Sequence, residues 1–268
     1  MGQRPDPVRA FDGVRMGTIH KIGSALPRAA IGFRPEYLDF SRGIRVGNLE
    51  DNQRITRILK LAIEDAYRES FVTERFGRGV YWQWIGFLSR ANRSAKPVSS
   101  GVSFGCSKFF ITIDGMDGLF KCGFSVERGF IRPPEHSPGC ELKPDWDWNR
   151  LLEQCRQDSA LYRELTRLVR SEGFAIDAGC WDHRASYKKG GLPEPAMLRK
   201  VLRESPGDRW AGFQVYYPMG PKEVSRSTGI DLVESMLAVF REVTPAMNQC
   251  MQTQLHPGPS ASGSGSIP

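Results

Sequence analysis

Apolar residues at Ile55, Ile58, Leu59, Ala62 and Ala66 within NLEDNQRITRILKLAIEDAYRESF repeat with the i, i+3, i+4, i+7 spacing of an amphipathic helix, and Asn48 precedes them as a candidate cap. After Gly77 and Gly79 the pattern changes. GVYWQWIGFL is dominated by the aromatic and β-branched residues that fit a pleated surface, so it reads as a strand. In LFKCGFSVE, Phe120, Cys122, Phe124 and Val126 alternate with Lys121, Gly123, Ser125 and Glu127, which predicts one buried and one wet face. With KFFITI before it and DGMDG between, Lys108 to Glu127 is expected to be a β-hairpin.

Four prolines between Ile131 and Pro144 make that stretch a loop. Two helices are expected next, one starting near Asp145, the other capped by Asp158 or Ser159, with Leu161, Leu165, Leu168 and Val169 inward and Gly173 as its stop. EPAMLRKVLRES reads as a short helix opened by Pro195, and WAGFQVYY as a strand. A long helix begins around Thr228, with Leu232, Val233, Met236, Leu237 and Phe240 as its apolar face, and Pro245 is expected to kink or end it. Strands followed by helices, with few βαβ alternations, predict an α+β fold: a mainly antiparallel sheet with helices packed on one face.

Residues 1–48, rich in Pro, Gly and Arg and without a sustained period, are expected to form an irregular arm. Residues 49–255 then make a single domain, and 256–268, HPGPSASGSGSIP, a disordered tail. A chain of 268 residues with 40% hydrophobic and 25% charged residues has the composition of a globular protein. No apolar run reaches the roughly 18 residues of a membrane span, and the first residues have no apolar stretch suited to a signal peptide. Six cysteines without a short repeated spacing are expected to be reduced thiols, which fits a cytoplasmic protein. The formal charge of +7 favours encounters with anionic partners.

One stretch concentrates that charge. From Arg78 to Ile113 there is no Asp or Glu, while Arg78, Arg90, Arg93, Lys96 and Lys108 stand among Tyr81, Trp82, Trp84, Phe87, Phe104, Phe109 and Phe110. Cations neutralise phosphates and aromatic rings stack on unpaired bases, so the mixture suits single-stranded nucleic acid. The competing reading puts the aromatics in the core and leaves only the SRANRSAKP cations in water. Strict alternation would place Trp82 and Trp84 on one face and Tyr81 and Gln83 on the other. The candidate nucleic-acid-binding set is Arg90, Arg93, Lys96, Trp82 and Trp84, with Lys188 and Lys189 of YKKGG as an extension.

Two further constellations carry chemistry. His136 and Cys140, with Cys180 and His183, give H-x3-C and C-x2-H, pairs that could each chelate zinc from one turn in a closed structural site. Unrelated thiols and imidazoles are the competing reading, and no cofactor is expected apart from that zinc. Asp117, Glu141 and Lys143 mimic the carboxylate and lysine trio of a metal-dependent nuclease. No GxGxxG after a strand, no GxxxxGK[ST] and no GxSxG is present. CWDH, 180 to 183, is better read as a turn with a packed Trp181 than as a nucleophile and base.

The order of parts, with the hairpin FFITIDGMDGLFKCGFS, the phrase SEGF after a helix, the strand WAGFQV and the last helix LVESMLAVFREVTP, resembles a bacterial family defined only as a domain of unknown function, over roughly residues 80 to 250. The resemblance implies no activity and no site residues. The sequence therefore supports a soluble basic binding module for an anionic partner such as single-stranded nucleic acid. The alternative is an enzyme with its site between sheet and helices, for which metal-dependent nuclease is the named class.

Overall fold

A computed structural model describes residues 32–95, 105–133, 135, 145–188 and 190–258. Nine strands form one antiparallel sheet: β1 (Leu38–Asp39), β2 (Gly43–Arg45), β3 (Phe71–Arg78), β4 (Tyr81–Ser89), β5 (Ser107–Asp114), β6 (Leu119–Arg128), β7 (Ala175–Cys180), β8 (His183–Tyr187) and β9 (Ala211–Met219). Among the described residues the α-helices are α1 (Ile55–Tyr67), α2 (Arg90–Ser94), α3 (Asp147–Gln154), α4 (Ala160–Ser171), α5 (Pro195–Arg203), α6 (Pro221–Arg226) and α7 (Gly229–Asn248). The α+β class and the antiparallel sheet expected from the sequence are both present. β4 pairs with β3 along one edge; on its other edge it meets β2 at Tyr81–Trp82 and β5 at Trp84–Phe87. From β5 the order continues β6, β9, β7, β8.

The main core lies between the sheet and the helices. Helix α7 crosses β5, β6 and β9, and its Phe240 ring stacks on Phe109 at 4.7 Å and meets Phe87 edge-on at 6.2 Å. Leu161, Leu165, Leu168 and Val169 of α4 are buried as their spacing requires, and the Ser159 hydroxyl accepts from the Tyr162 amide to cap the helix. Tyr67 of α1 and Thr244 of α7 share a buried 2.6 Å hydrogen bond. Pro245 does not end α7, which runs on to Asn248 because Ala246 and Met247 are buried in the same cluster and hold the last turn.

Three expectations are corrected. Residues 33–48, expected to belong to an irregular arm, are part of the fold, with Phe33, Leu38, Ile44 and Val46 buried. Strands of two and three residues are too short to show a period of two. Asn48 is not the cap of α1; it adopts φ 53° six residues before Arg54, which occupies that position. The face of β6 expected to be wet is buried as well, with Lys121 and Ser125 both at 0% exposure.

What covers the cost of that second buried face is pairing. Lys121 Nζ donates to the carboxylates of Asp114 at 2.7 Å and Asp177 at 2.9 Å and lies 2.8 Å from that of Asp117, while Arg184 bridges Asp114 and Asp177. Ser186 Oγ and Tyr216 Oη both donate to the other oxygen of Asp177. Lys108 sits between Glu74 at 2.9 Å and Glu127 at 3.5 Å. A buried charge without such partners is costly enough to unfold or neutralise.

Candidate anion interface

The first turn of the sheet places a guanidinium over an aromatic ring. The Asp39 carboxylate accepts from the Ser41 hydroxyl at 2.6 Å, the Ser41 amide at 2.9 Å and the Arg42 amide at 3.1 Å, closing the β1–β2 connection. These hydrogen bonds, the Ser41 hydroxyl first, hold the Asp39 carboxyl below its ordinary range. Arg42, so fixed at its backbone, lies with its guanidinium carbon 4.0 Å from the Tyr81 ring centroid.

A bulge shapes the rest. Phe76 pairs with Trp84 and Gly77 with Trp82, leaving Gln83 as the extra residue of β4. Gly77, at φ 147°, and Gly43, at φ 112°, both approach the Trp82 backbone where a Cβ would collide, so glycine at these two positions admits the bulge between its neighbouring strands. The extra residue breaks the expected alternation: Trp82 packs against the main core cluster, while Trp84 packs with Phe110, Ala175 and Tyr216 in a separate one. The two tryptophans therefore do not form a common stacking face. Arg75 covers Trp82, its guanidinium carbon 4.2 Å from the ring centroid.

Between these elements lies an open groove of about 530 Å³ lined by Arg42, Phe76, Gly77, Arg78, Tyr81 and Gln83. Phe76 is 72% exposed, the most open large hydrophobic side chain among the described residues. Arg42, Arg75 and Arg78 are exposed, and none of the three is within salt-bridge distance of a carboxylate among the described residues. Arg42 and Arg78 line the groove beside the open Phe76 ring, and Arg75 is stacked on Trp82 outside it, so two cations and one exposed aromatic face form the region's distinguishing chemistry.

The residues chosen from the sequence fall in several places. Arg90 and Arg93 are on the short helix α2, at the far end of β4 from Tyr81, a strand length of about 25 Å away. Glu69 stands beside them, accepting from the Ser89 hydroxyl and from the Ala91 amide. The carboxylate-free run in sequence is thus not carboxylate-free in space, and Lys108, buried between two glutamates, is no part of a basic surface. Lys188 is exposed after β8, and the sheet order puts β5, β6, β9 and β7 between β8 and β4. Lys96 and Lys189 lie outside the described residues.

Cys180 and His183 are cross-strand partners flanking the Trp181–Asp182 turn, but Cys180 is buried in the main core while His183 is exposed. His136 and Cys140 lie outside the described residues, and among those described no three His, Cys, Asp or Glu side chains gather to hold a metal ion. Glu141 and Lys143 also lie outside; Asp117 is engaged with Lys121. Trp181 lies over Gly212, the packed turn expected of CWDH. Five cysteines, Cys106, Cys122, Cys155, Cys180 and Cys250, are buried, and none is joined to another of the five. Between sheet and helices, where the enzyme alternative expected its site, stand Phe87, Phe109, Phe124, Phe213, Met236 and Phe240, all buried. Among the described residues no helix is long and apolar enough to cross a membrane.

The sequence reading did not select Arg42, Arg75 and Phe76. One signal was available: Phe76-Gly77-Arg78-Gly79 follows an alternating run, and a strand ending in two glycines is a place to look for a bulge. No protein-family model, no curated protein and no solved structure matches the chain.

Proposed function

We propose that the protein is a binding module for a single-stranded polyanion, most simply single-stranded nucleic acid in the cytoplasm, and that the groove at the β2–β4 end of the sheet is where the strand lies. The observation that carries this reading is the combination in one groove of Arg42 and Arg78, free of carboxylate partners among the described residues, with Phe76 at 72% exposure. Arginines supply phosphate contacts whose strength depends on salt, and an open phenyl face accepts a base whatever its identity. Arg90, Arg93 and, beyond the described residues, Lys96 then extend the path along β4 rather than forming its centre.

Fluorescence anisotropy with a labelled single-stranded oligonucleotide tests the reading. Binding should weaken as salt rises, and changing Arg42 and Arg78 together to Gln should flatten the log–log salt slope by about 1.4, at roughly 0.7 per lost phosphate contact. Phe76→Ala should weaken binding by about 1–3 kcal/mol. A failure to bind at low salt, or a double variant that binds like the native chain, overturns the proposal.

A further inference from the structure

A second concave site lies on the helix side of the molecule. Ala196, Arg199, Lys200 and Arg203 follow the i, i+3, i+4, i+7 rule and share one stripe of α5, while Pro195, Leu198 and Leu202 are the buried positions that seat the helix. The stripe faces Cys155, Arg156 and Gln157 at the end of α3 across a cavity of about 550 Å³, whose rim is completed by Glu194 and Glu204. Four cations and two carboxylates line it, a local excess of two positive charges. Of these groups Lys200 and Glu204 touch, and only at 4.0 Å.

Two details indicate what the cavity would take. Arg199 lines the cavity, and its Nε is buried without a hydrogen-bond partner among the described residues. Cys155 is 4% exposed, and with Pro195 and Ala196 it gives the cavity an apolar part. Burial pushes its thiol up to about 12, with Arg199 pulling the other way, so the site gains no thiolate at neutral pH. The carbonyls just beyond α5, which would repel an anion, are occupied separately: Arg128 donates to those of Ser205, Pro206 and Arg209.

We infer that this cavity binds a small phosphomonoester, its phosphate held by Arg199 with Arg156, Lys200 and Arg203 and its organic body against Cys155, Pro195 and Ala196. The volume is large enough for a small metabolite or a mononucleotide. Arginine suits a phosphate because its planar fork donates two parallel hydrogen bonds. The site does not depend on the polyanion groove. Helix α5 packs on β7 and β9, and β5 and β6 separate β9 from β4.

Isothermal titration of the full chain with adenosine 5′-monophosphate and with glucose 6-phosphate, each beside its unphosphorylated counterpart, tests the inference. At least one phosphomonoester should bind, with its counterpart at least about tenfold weaker, and Arg199→Gln and Arg203→Gln should each weaken it by about tenfold or more. Arg203 lies on the exposed side, so its variant keeps the test valid if Arg199→Gln fails to fold; far-UV circular dichroism distinguishes the cases. Binding should survive the combined Arg42→Gln and Arg78→Gln change. No heat from either phosphate at about 10 mM overturns the inference, as does equal binding of the unphosphorylated forms or loss of binding in the groove variant instead.

Discussion

Lysine 121 shows how far a residue's surroundings can depart from its place in a pattern. By alternation it belongs on a wet face, yet it is fully buried and held by three aspartates. Burial works against its charge, but hydrogen bonds to Asp114 and Asp117 and the charge of Asp177 outweigh that and raise its pKa above the ordinary lysine range. Lys121→Met should therefore destabilise the fold by about 3–5 kcal/mol in urea unfolding, because the three carboxylates would keep Arg184 as their one remaining cation among the described residues. The same network sets a pH dependence. Burial opposes the charge of Asp114, but Lys121, the Met116 amide and Arg184 together lower its pKa. Its stabilisation is then complete above the unfolded value of about 3.9 and is lost as pH falls through the lower folded value. The stability gap between the native chain and Asp114→Asn should stay constant from pH 7 to about 5 and close only below about 4. Glu127 runs the other way. Burial raises its pKa despite Lys108, while for Lys108 burial is outweighed by Glu74 and Glu127, which raise its pKa, so acidification protonates Glu127 before Asp114. None of this was legible in the sequence, since Asp177 lies 56 residues from Lys121 and only the sheet order brings them together.

At the scale of elements, legibility followed the length and cleanness of the period. The β5–β6 hairpin, α4, α5 and α7 declared themselves through many periodic positions and definite limits: Ser159, one of the two caps expected, caps α4, α7 begins after Thr228, and Gly173 takes φ 78°. Strand β3 was hidden because FVTERFGR mixes charge with aromatics at a sheet edge, and β7 because AIDAGC, buried throughout, has no polar beat. The bulge in β4 was hidden for a different reason. One inserted residue reverses the faces on either side of it, so a strict period of two gives the wrong partner to Trp82. Gly77→Ala should cost about 1–3 kcal/mol, because alanine must adopt φ 147° against the Trp82 backbone; chemical denaturation measures it. Removal of the Thr228 hydroxyl, which accepts from the Asp231 amide at 3.2 Å, should cost about 1 kcal/mol by the same method.

For the molecule as a whole, the chain ends matter because two of its boundaries are tied to distant helices. The Phe33 carbonyl stands so close to Gly229, the first residue of α7, that any side chain there would strike it, which makes the start of the described fold part of the seat of its longest helix. At the other end Leu255 is 1% exposed. Asn248 accepts from the Leu255 amide at 2.9 Å and donates to its carbonyl at 2.8 Å, and the Gly258 amide donates to Ala66 at the end of α1. Composition places the boundary of the tail at residue 256, and Gly258 takes part in the fold. Cutting after Gly258 removes only PSASGSGSIP, a segment with too little apolar content to add to a core, and should leave the melting temperature unchanged. Cutting after Gln254 removes a buried leucine and both Asn248 contacts. The loss should reach about 2 kcal/mol, or about 4–8 °C for a chain of this size. Differential scanning fluorimetry of the two truncations decides the matter. Equal melting temperatures would mean that the fold ends at α7 and that Leu255 is not held against the core in solution.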